Sequence, residues 1–333
     1  MSDLGDSNFI RYIYRGEEGE HILLDATHIT IDASVTVIRE EAFLEHHNIV
    51  EVICHANVKT IERFAFRYCE SLRRVTMPGV EVVERDAFEF CKALMDVECG
   101  KLEIIKVGAF SCCTSLRSIN LPSARIIEDL AFEVSRLEDV KFGNKLERID
   151  ARAFNNYRLE RITMPLKDGI IGLDAFRGCD NLNHIYLTDE ALLHEFIEAL
   201  HLEDWRNDIK EEINSINQIL PETRAGDKDD DFYRTAPKAE AIRTWIRSLL
   251  RKLVHYKAKH QRLLGETETT LQFALPHEIV TNNIIPFLDL PPHELAVWRS
   301  HWFADWHFSH VDVELPTYYD QSSTHITSTR RVS

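Results

Sequence analysis

The residues of this chain best suited to chemistry are its cysteines and histidines. Four of the seven cysteines recur at one position of a repeating pattern, three residues after a phenylalanine: Cys69, Cys91, Cys113 and Cys179. Cysteines that lie a full repeat apart do not form a local pair of zinc ligands, and Cys112-Cys113 has no matching second pair. Thiols on neighbouring turns could bridge, but a repeat position is not a disulfide framework. We therefore expect free cysteines, buried as small apolar residues.

The histidines cluster late in the sequence, at His293, His301, His307 and His310. Only the last two share one face of a helix, and no acidic residue completes a convincing set of metal ligands beside them. His277 is followed by Glu278 but lacks the second histidine of a zinc-protease motif. The sequence has no glycine-rich phosphate loop and no nucleophile elbow. We predict no catalytic residue, no metal ion and no cofactor, and hence no enzyme.

The overall charge restricts the class of partner. The 333 residues carry a net charge of −16, which opposes nonspecific binding to nucleic acid or to anionic lipid. No apolar run reaches the roughly 18 residues that span a bilayer, and the N-terminal residues do not resemble a secretory signal. We expect an intracellular, cytoplasmic protein with a protein partner and without nucleic-acid or membrane partners.

A pattern built around the dipeptide Ala-Phe recurs through the first part of the chain. Its copies are Ala42-Phe43, Ala65-Phe66, Ala87-Phe88, Ala109-Phe110, Ala131-Phe132, Ala153-Phe154 and Ala175-Phe176. The step between copies is constant from the second copy onward, and the first step is one residue longer. A fixed period of about 22 residues is the signature of a solenoid, in which each copy stacks on the next. Such a stack offers a surface for recognition and does not require catalysis.

Each copy predicts one strand and one turn. Apolar residues alternate with outward positions after the phenylalanine, as at Val75 and Met77, which indicates a strand with one buried face, and β-branched residues dominate the first of these positions. Proline then ends the strand, as at Pro78. The Ala-Phe segment lacks alternation and predicts a helical turn or short helix. The predicted fold class is an α+β repeat, a solenoid with a short strand and a helical turn per coil, followed by an α-helical region.

The repeat resembles the bacterial-surface-protein-A (BspA-like) type of leucine-rich repeat. The pattern Ile-x-x-x-Ala-Phe-x-x-Cys-x-x-Leu-x-x-Val-x-x-Pro runs from Ile61 to Pro78, and the resemblance covers about residues 31–190. It implies a curved solenoid used for protein recognition. Segments between Leu200 and His260 also resemble the helical tail of repeat proteins from single-celled algae, which implies the same architecture.

The outward side chains of the predicted strands vary from coil to coil, whereas the buried positions repeat. A constant frame that carries a varied face is typical of a binding surface, although solvated polar residues without a partner would give the same pattern. The predicted partner-binding residues are Arg74, Thr76, Asp96, Glu98, Ser118, Asn120, Asp139, Lys141, Arg161 and Thr163. Glu51, Ile53, His184 and Tyr186 continue the same face at its two ends.

The ends of a solenoid must be covered, and the sequence predicts the covering segments. Strand-like residues around Tyr12 and Ile29 indicate a hairpin-like N-terminal cap. The predicted organisation is a cap at 1–31, a solenoid of seven repeats at 32–188, a helical hairpin at 189–264 with an acidic linker at 221–237, a small helical segment at 265–310 and a disordered tail at 311–333.

The two helices of the predicted hairpin differ in charge. Residues 189–220 contain nine acidic and two basic side chains, whereas residues 238–264 contain one acidic and eight basic ones, so we expect the two helices to pair in antiparallel orientation. The leading functional prediction is a non-catalytic scaffold for protein–protein interaction. Two alternatives are a calmodulin-type target helix at 242–258 and an F-box-like ubiquitin-ligase adaptor segment at 275–290.

Overall fold

Each repeat folds into one coil of a parallel β-solenoid, and the coils stack in sequence order. The computed structural model describes residues 9–156, 158–200, 202–220 and 237–272. Strands of successive coils pair in parallel, as Arg74 does with Asp96 and Ile126 with Arg148. The predicted repeat solenoid with a helical C-terminal region is confirmed.

One side of the solenoid is formed by the strands that the sequence predicted. These strands are β1 (Arg11–Tyr14), β2 (His28–Ile31), β4 (Glu51–Ile53), β6 (Arg74–Thr76), β8 (Asp96–Glu98), β10 (Ser118–Leu121), β12 (Asp139–Phe142), β14 (Arg161–Met164) and β15 (His184–Leu187). Their central residues, such as Val75 and Val140, are fully buried, and the residues on either side of these point outward. Between β8 and β10 the pairing stops, so this side consists of two sheets.

A second strand, present in each of the first six Ala-Phe coils, was not predicted. It contains the aliphatic residue that lies five positions before the phenylalanine, and it joins one continuous sheet. The strands are β3 (Val37–Ile38), β5 (Thr60–Ile61), β7 (Val82–Val83), β9 (Ile104–Ile105), β11 (Ile126–Ile127) and β13 (Arg148–Ile149). Two residues are too few to show a period of two in the sequence, which is why only the stacked coils reveal this sheet.

The phenylalanines of the Ala-Phe pairs form one continuous column of rings inside the solenoid. All seven rings are buried, with at most 2% exposure. Neighbouring centroids are 4.8 to 5.9 Å apart, and the rings are nearly parallel. The spacing follows from the distance of about 4.8 Å between paired strands, because each coil contributes one ring per step of the stack.

The Ala-Phe segment consists of turns rather than a short helix. Phe64 and Tyr68, two residues before and after Phe66, have φ values of 59° and 61°. This left-handed conformation directs backbone N–H groups along the stack, so that Phe66 donates to the carbonyl oxygen of Ala87 (2.8 Å) and Tyr68 to that of Glu89 (2.9 Å). The same conformation recurs at Glu41, Glu45, Asp86, Phe90, Cys112, Leu130, Val134 and Arg152. The turns therefore form a third hydrogen-bonded ladder between coils.

The N-terminal segment forms a further solenoid coil, and the hairpin-like arrangement expected for it is wrong. Strand β1 pairs with β2 in parallel, with Arg11 opposite His28, whereas a hairpin joins antiparallel strands. The ring of Tyr14 is buried and packs against Phe43, with centroids 5.0 Å apart and planes at 58°. A tilted tyrosine therefore ends the column of parallel phenylalanines.

Three helices follow the last strand: α1 (Glu190–Ala199), α2 (Glu203–Ile219) and α3 (Pro237–Gln272). Helices α2 and α3 are antiparallel, because Trp245 donates to the carbonyl oxygen of Glu212 (2.8 Å) while Tyr256, further along α3, donates to Asp208 (2.7 Å). Lys252 pairs with both acids at 2.9 Å, as the opposite charges of the two helices predicted. Helix α3 continues past residue 264, so the boundary expected there falls inside the helix.

The helices also cover the last coil of the solenoid. Asn217 of α2 accepts a hydrogen bond from the backbone N–H of Ile185 (3.2 Å) in β15. Lys238 of α3 is 5% exposed and donates to the carbonyl oxygens of Asp180 and Leu182. Burial lowers the pKa of the Lys238 ammonium, which nearby Asp180 partly opposes. Backbone groups that would meet a further coil are thus satisfied by side chains.

Candidate binding surface

The ten predicted partner-binding residues lie on five successive strands of one side of the solenoid. We call the outward side chains of β4, β6, β8, β10, β12, β14 and β15 the strand face. All ten are at least partly exposed, and the parallel register aligns them in columns. The first column consists of Glu51, Arg74, Asp96, Ser118, Asp139, Arg161 and His184, and the second of Ile53, Thr76, Glu98, Asn120, Lys141, Thr163 and Tyr186.

Charges in the first column alternate along the stack, except at one coil. The guanidinium of Arg74 lies 3.5 Å from Glu51 and 3.2 Å from Asp96, and that of Arg161 lies 3.4 Å from Asp139. Ser118 occupies the position between Asp96 and Asp139, where the alternation calls for a cation. Two acidic side chains therefore flank one uncharged position.

A groove of about 300 Å³ opens at this same coil. It is lined by Met95, Asp96, Val97, Ser118, Ile119, Asn120, Asp139 and Lys141. Val97 is 9% exposed, whereas the equivalent Val75 and Val140 are fully buried, so the groove uncovers part of the core. We call this feature the β8–β10 groove.

The groove results from the break in the sheet between β8 and β10. Among the described residues no backbone hydrogen bond joins these two strands, and only the thiol of Cys99 reaches the carbonyl oxygen of Asn120, at 3.6 Å. The other side of the same coils stays closed, since the rings of Phe88 and Phe110 remain stacked at 5.1 Å. The coils therefore splay apart on the strand face alone, which leaves peptide groups of two strand edges available to a partner.

Sequence reasoning missed the break and the contribution of Met95. Met95 is 53% exposed, although it precedes the strand residues that were predicted to bind. The equivalent residue is charged in the coil before it and in the three coils after it: Arg73, Arg117, Glu138 and Glu160. An exposed apolar residue at a charged repeat position was the available signal.

Charged side chains elsewhere on the solenoid pair mainly with the neighbouring coil. Lys59 pairs with Glu81 at 2.6 Å and Arg125 with Glu147 at 2.9 Å, and each acid lies one repeat length further along the chain. Such exposed pairs contribute about 0–1 kcal/mol each. Opposite charges spaced by one repeat length were visible in the sequence but were not interpreted as contacts.

The repeated cysteines are free and structural, as the sequence predicted. Cys69, Cys91, Cys113 and Cys179 are buried, and each thiol donates to the carbonyl oxygen of the phenylalanine in the preceding Ala-Phe coil. Burial raises the pKa of Cys69 and of Cys179 to about 12, so these thiols stay protonated and able to donate. Cysteine thus acts as an apolar residue that also carries a weak donor.

The apolar side of α3 is not available to a calmodulin-type partner. Trp245, Ile246 and Leu249, which would anchor such a partner, are at most 1% exposed. The indole of Trp245 is hydrogen-bonded to α2, so the acidic helix of the same chain occupies the predicted target surface. Binding at 242–258 would first require α3 to separate from α2. The F-box-like segment 275–290, His277 and the late histidines lie outside the described residues.

The described residues lack two other kinds of feature, a metal centre and a membrane-spanning helix. These residues contain no group of three or more histidine, cysteine or acidic side chains arranged to hold a metal ion. Their helices include none that is both long and apolar enough to cross a bilayer.

Comparison with known proteins places the chain in a family. The chain matches the family described as "BspA type Leucine rich repeat region" in six copies, over residues 23–136 and 103–196. Together the matches extend over residues 23–196, which is more than half of the 333 residues. The fold is that of a leucine-rich-repeat solenoid, and this chain belongs to the BspA-type leucine-rich-repeat family. Members of this family generally act in binding to other proteins.

Several solved structures are similar to the repeat region. A leucine-rich cell surface protein from Faecalibacterium prausnitzii is 26% identical, with 55% of this chain and 48% of that chain covered and a TM-score of 0.41. The pneumococcal vaccine antigen PcpA is 21% identical, with 54% of each chain covered and a TM-score of 0.38. A leucine-rich-repeat protein of T. pallidum is 20% identical, with 59% of this chain and 85% of that chain covered and a TM-score of 0.40.

These likenesses do not extend to function. This chain spans about half the length of the first two structures, and all three TM-scores lie below 0.5. No curated protein shows significant sequence similarity to this chain.

Proposed function

We propose that this protein is a non-catalytic scaffold that binds a protein partner through its strand face. The observation that carries the proposal is the contrast between a constant buried frame and a varied outward face. The phenylalanine column repeats almost without change, whereas the ten side chains from Arg74 to Thr163 differ from each coil to the next. A stack of coils with one accessible strand side provides an extended recognition surface.

Site-directed photo-crosslinking tests this proposal directly. A photo-crosslinking amino acid replaces Asn120 on the strand face in one protein and Arg148 in the second sheet in another. Both positions are exposed, so the two proteins differ only in the side that they probe. We expect one partner to be captured from position 120 and not from position 148. Equal capture from both positions, or capture from position 148 alone, would contradict the assignment of the face.

A second test changes the strand face without changing the net charge. Arg74, Asp96, Asp139 and Arg161 form ion pairs among themselves that are exposed to solvent, so their joint replacement by serine removes two cations and two anions. Exposed pairs are worth about 0–1 kcal/mol each. We therefore expect nearly unchanged stability together with weaker capture of the crosslinked partner. Unfolding of this variant would show that these side chains support the fold instead.

We further propose that the helical tail closes the solenoid and that this arrangement marks a subgroup with the helical tail found in algal repeat proteins. The contacts of Asn217 and Lys238 with the last coil support this role. Lys238→Met keeps the length of the stem but leaves the carbonyl oxygens of Asp180 and Leu182 without this donor. We expect the variant to lose about 1–3 kcal/mol. An unchanged free energy of unfolding would contradict the capping role.

We also propose that the protein works in a reducing compartment such as the cytoplasm. All seven cysteines are free, and six are buried in positions that use the thiol as a small side chain. Free cysteines in such number fit a reducing environment better than an oxidising one. Thiol trapping with N-ethylmaleimide in acid-quenched cells checks this, and we expect every cysteine to be recovered reduced. Recovery of a disulfide would contradict the proposal.

A further inference from the structure

We infer that the β8–β10 groove takes an arginine side chain presented by an extended segment of a partner protein. The inference rests on the proposed function and names the chemistry that the strand face recognises at one coil. Two independent features coincide there: the gap in the alternating charges at Ser118, and the break in the sheet that opens a groove of about 300 Å³. Neither feature depends on the other, and no other coil combines both on the strand face of the described residues.

The charge pattern determines the sign of the occupant. Paired coils are about 4.8 Å apart, so a cation above Ser118 would lie about 5 Å from the carboxylate of Asp139 on the paired strand β12. The carboxylate of Asp96 flanks the same position from across the wider gap, where the Cα atoms of β8 and β10 approach within 8 Å. These two acids already pair on their outer sides with Arg74 and Arg161. A partner cation would complete an uninterrupted alternation of negative and positive side chains from Glu51 to Arg161.

The shape of the groove favours a side chain over a complete strand. The Cα atoms of β8 and β10 still approach within 8 Å. Inserting a strand between them would require about 9.5 Å, twice the usual spacing. A single long side chain fits such an opening, with its stem along the apolar wall formed by Met95, Val97 and Ile119.

The donors required favour arginine over lysine. At the sheet break, the backbone carbonyl groups of β8 and β10 that face the gap have no ladder partner, whereas the carbonyl oxygen of Glu98 points to the opposite edge and accepts from the N–H of Met77 (2.8 Å). A guanidinium has five N–H donors in one plane, enough to reach two carboxylates and the exposed carbonyl groups together. The ammonium of lysine has three donors at a single point.

Lys141 also lines the groove and would repel an incoming cation. It lies in the second column, two residues from Asp139 along β12, and therefore about 7 Å away along the strand. Glu98 occupies the same column on the other side of Asn120, so the second column has balanced charges around the groove. The acids of the first column therefore decide the sign of the occupant, and Lys141 reduces the affinity without reversing it.

A peptide-binding experiment with the full chain tests the inference. The probes are fluorescein-labelled peptides of sequence Thr-Val-Thr-Arg-Thr-Val-Thr, and a matched peptide with citrulline, which has the shape of arginine without its charge. Fluorescence anisotropy at low salt measures the affinity, because exposed charge pairs are screened at high salt. We expect the arginine peptide to bind at least tenfold more tightly than the citrulline peptide.

Variants of the protein locate the binding. Asp96→Asn combined with Asp139→Asn should abolish the preference for arginine. Ser118→Lys places a cation of the chain itself at the empty position and should block the arginine peptide, with a melting temperature that is unchanged or raised. Glu81→Gln is the matched control, because Glu81 is an exposed acid in an ion pair with Lys59 away from the strand face. It should retain the preference.

Three results would overturn the inference. The first is equal affinity for the arginine and citrulline peptides, and the second is an arginine preference that survives in the Asp96→Asn, Asp139→Asn protein. The third is self-association that Ser118→Lys abolishes, because the occupant would then be a second copy of the chain. If the arginine preference fails while crosslinking from Asn120 still captures a partner, the inference falls and the proposed function stands. If crosslinking fails while the arginine preference holds, the groove still binds an arginine side chain, but the proposed scaffold function of the whole strand face falls.

Discussion

Replacement of Phe88 by alanine is expected to be the most damaging single change in the middle of the solenoid. The ring of Phe88 is fully buried, and its centroid lies 5.1 Å from those of Phe66 and Phe110, with interplanar angles of 2° and 7°. The backbone N–H of Phe88 also belongs to the turn ladder, because it donates to Ala109 at 2.8 Å. Alanine keeps this backbone bond, so the substitution removes the side-chain contribution alone.

The magnitude follows from three contributions. Burial of the side chain contributes about 2–3 kcal/mol of transfer free energy, and each aromatic pair adds about 0.5–1.5 kcal/mol. The rings above and below are held by their own coils and cannot collapse into the space, so a cavity remains. We expect Phe88→Ala to lower the free energy of unfolding by about 3–5 kcal/mol, in the range measured for buried phenylalanines.

Urea unfolding followed by circular dichroism measures this change. The matched control is Phe90→Ala in the same coil, because the ring of Phe90 is partly exposed and stacks on that of Tyr68, with centroids 4.8 Å apart. The substitution removes one aromatic pair and little buried surface, so we expect the free energy of unfolding to fall by about 1 kcal/mol. A loss at Phe88 below about 1 kcal/mol, or equal to that at Phe90, would refute the idea that the ring column holds the coils together.

Three further predictions concern single side chains. Cys112 is the one cysteine that is partly exposed, so it should react with a thiol reagent in the native protein. The other six cysteines should react only after unfolding. Mass spectrometry of the labelled protein checks this order. Val134→Gly should raise the melting temperature, with a gain of up to about 1 kcal/mol, because a β-branched residue that is 53% exposed has a φ of 54° there; a lower melting temperature would contradict this. Burial raises the pKa of Asp208, but hydrogen bonds from Lys252 and Tyr256 outweigh it and lower the pKa below 3.8. The stability that this carboxylate contributes should therefore be present above pH 3.8 and lost as the pH falls through the lower folded-state pKa. Asp208→Asn should destabilise the protein at pH 7 and should destabilise it less in acid. Thermal unfolding at both pH values measures the difference.

The repeat positions show how far periodicity alone can specify a fold. Because every coil must supply one ring per step, the seven Ala-Phe pairs were sufficient to predict a stacked solenoid and its buried phenylalanines. The outward positions of Arg74 and Asp96 followed from the alternation around Val75 and Val97. The ion pair between these two side chains was not predicted, although they lie one repeat length apart, because the repeat length aligns positions of neighbouring coils without specifying which side-chain conformations bring the charges together.

The N-terminal segment and the turns show where local reasoning failed. The apolar residues around Tyr12 and Ile29 predicted two strands correctly, but a strand pattern carries no information about parallel or antiparallel pairing. The left-handed conformation at Phe64 was equally hidden, because most such positions among the described residues are not glycine. The ladder of N–H groups between stacked turns stabilises that conformation, and a single turn in isolation has no such ladder.

The amino-acid sequence by itself determined the rung length, the buried ring column, the side of the solenoid that carries varied residues and the opposite charges of α2 and α3. These properties depend on periods and residue types, which are local. Only the tertiary structure decided the second sheet, the parallel N-terminal coil, the covering of the last coil by Lys238, and the groove at Ser118. Each of these depends on how residues far apart in the chain meet in space, and the groove depends on a break between two strands whose coils have the ordinary length.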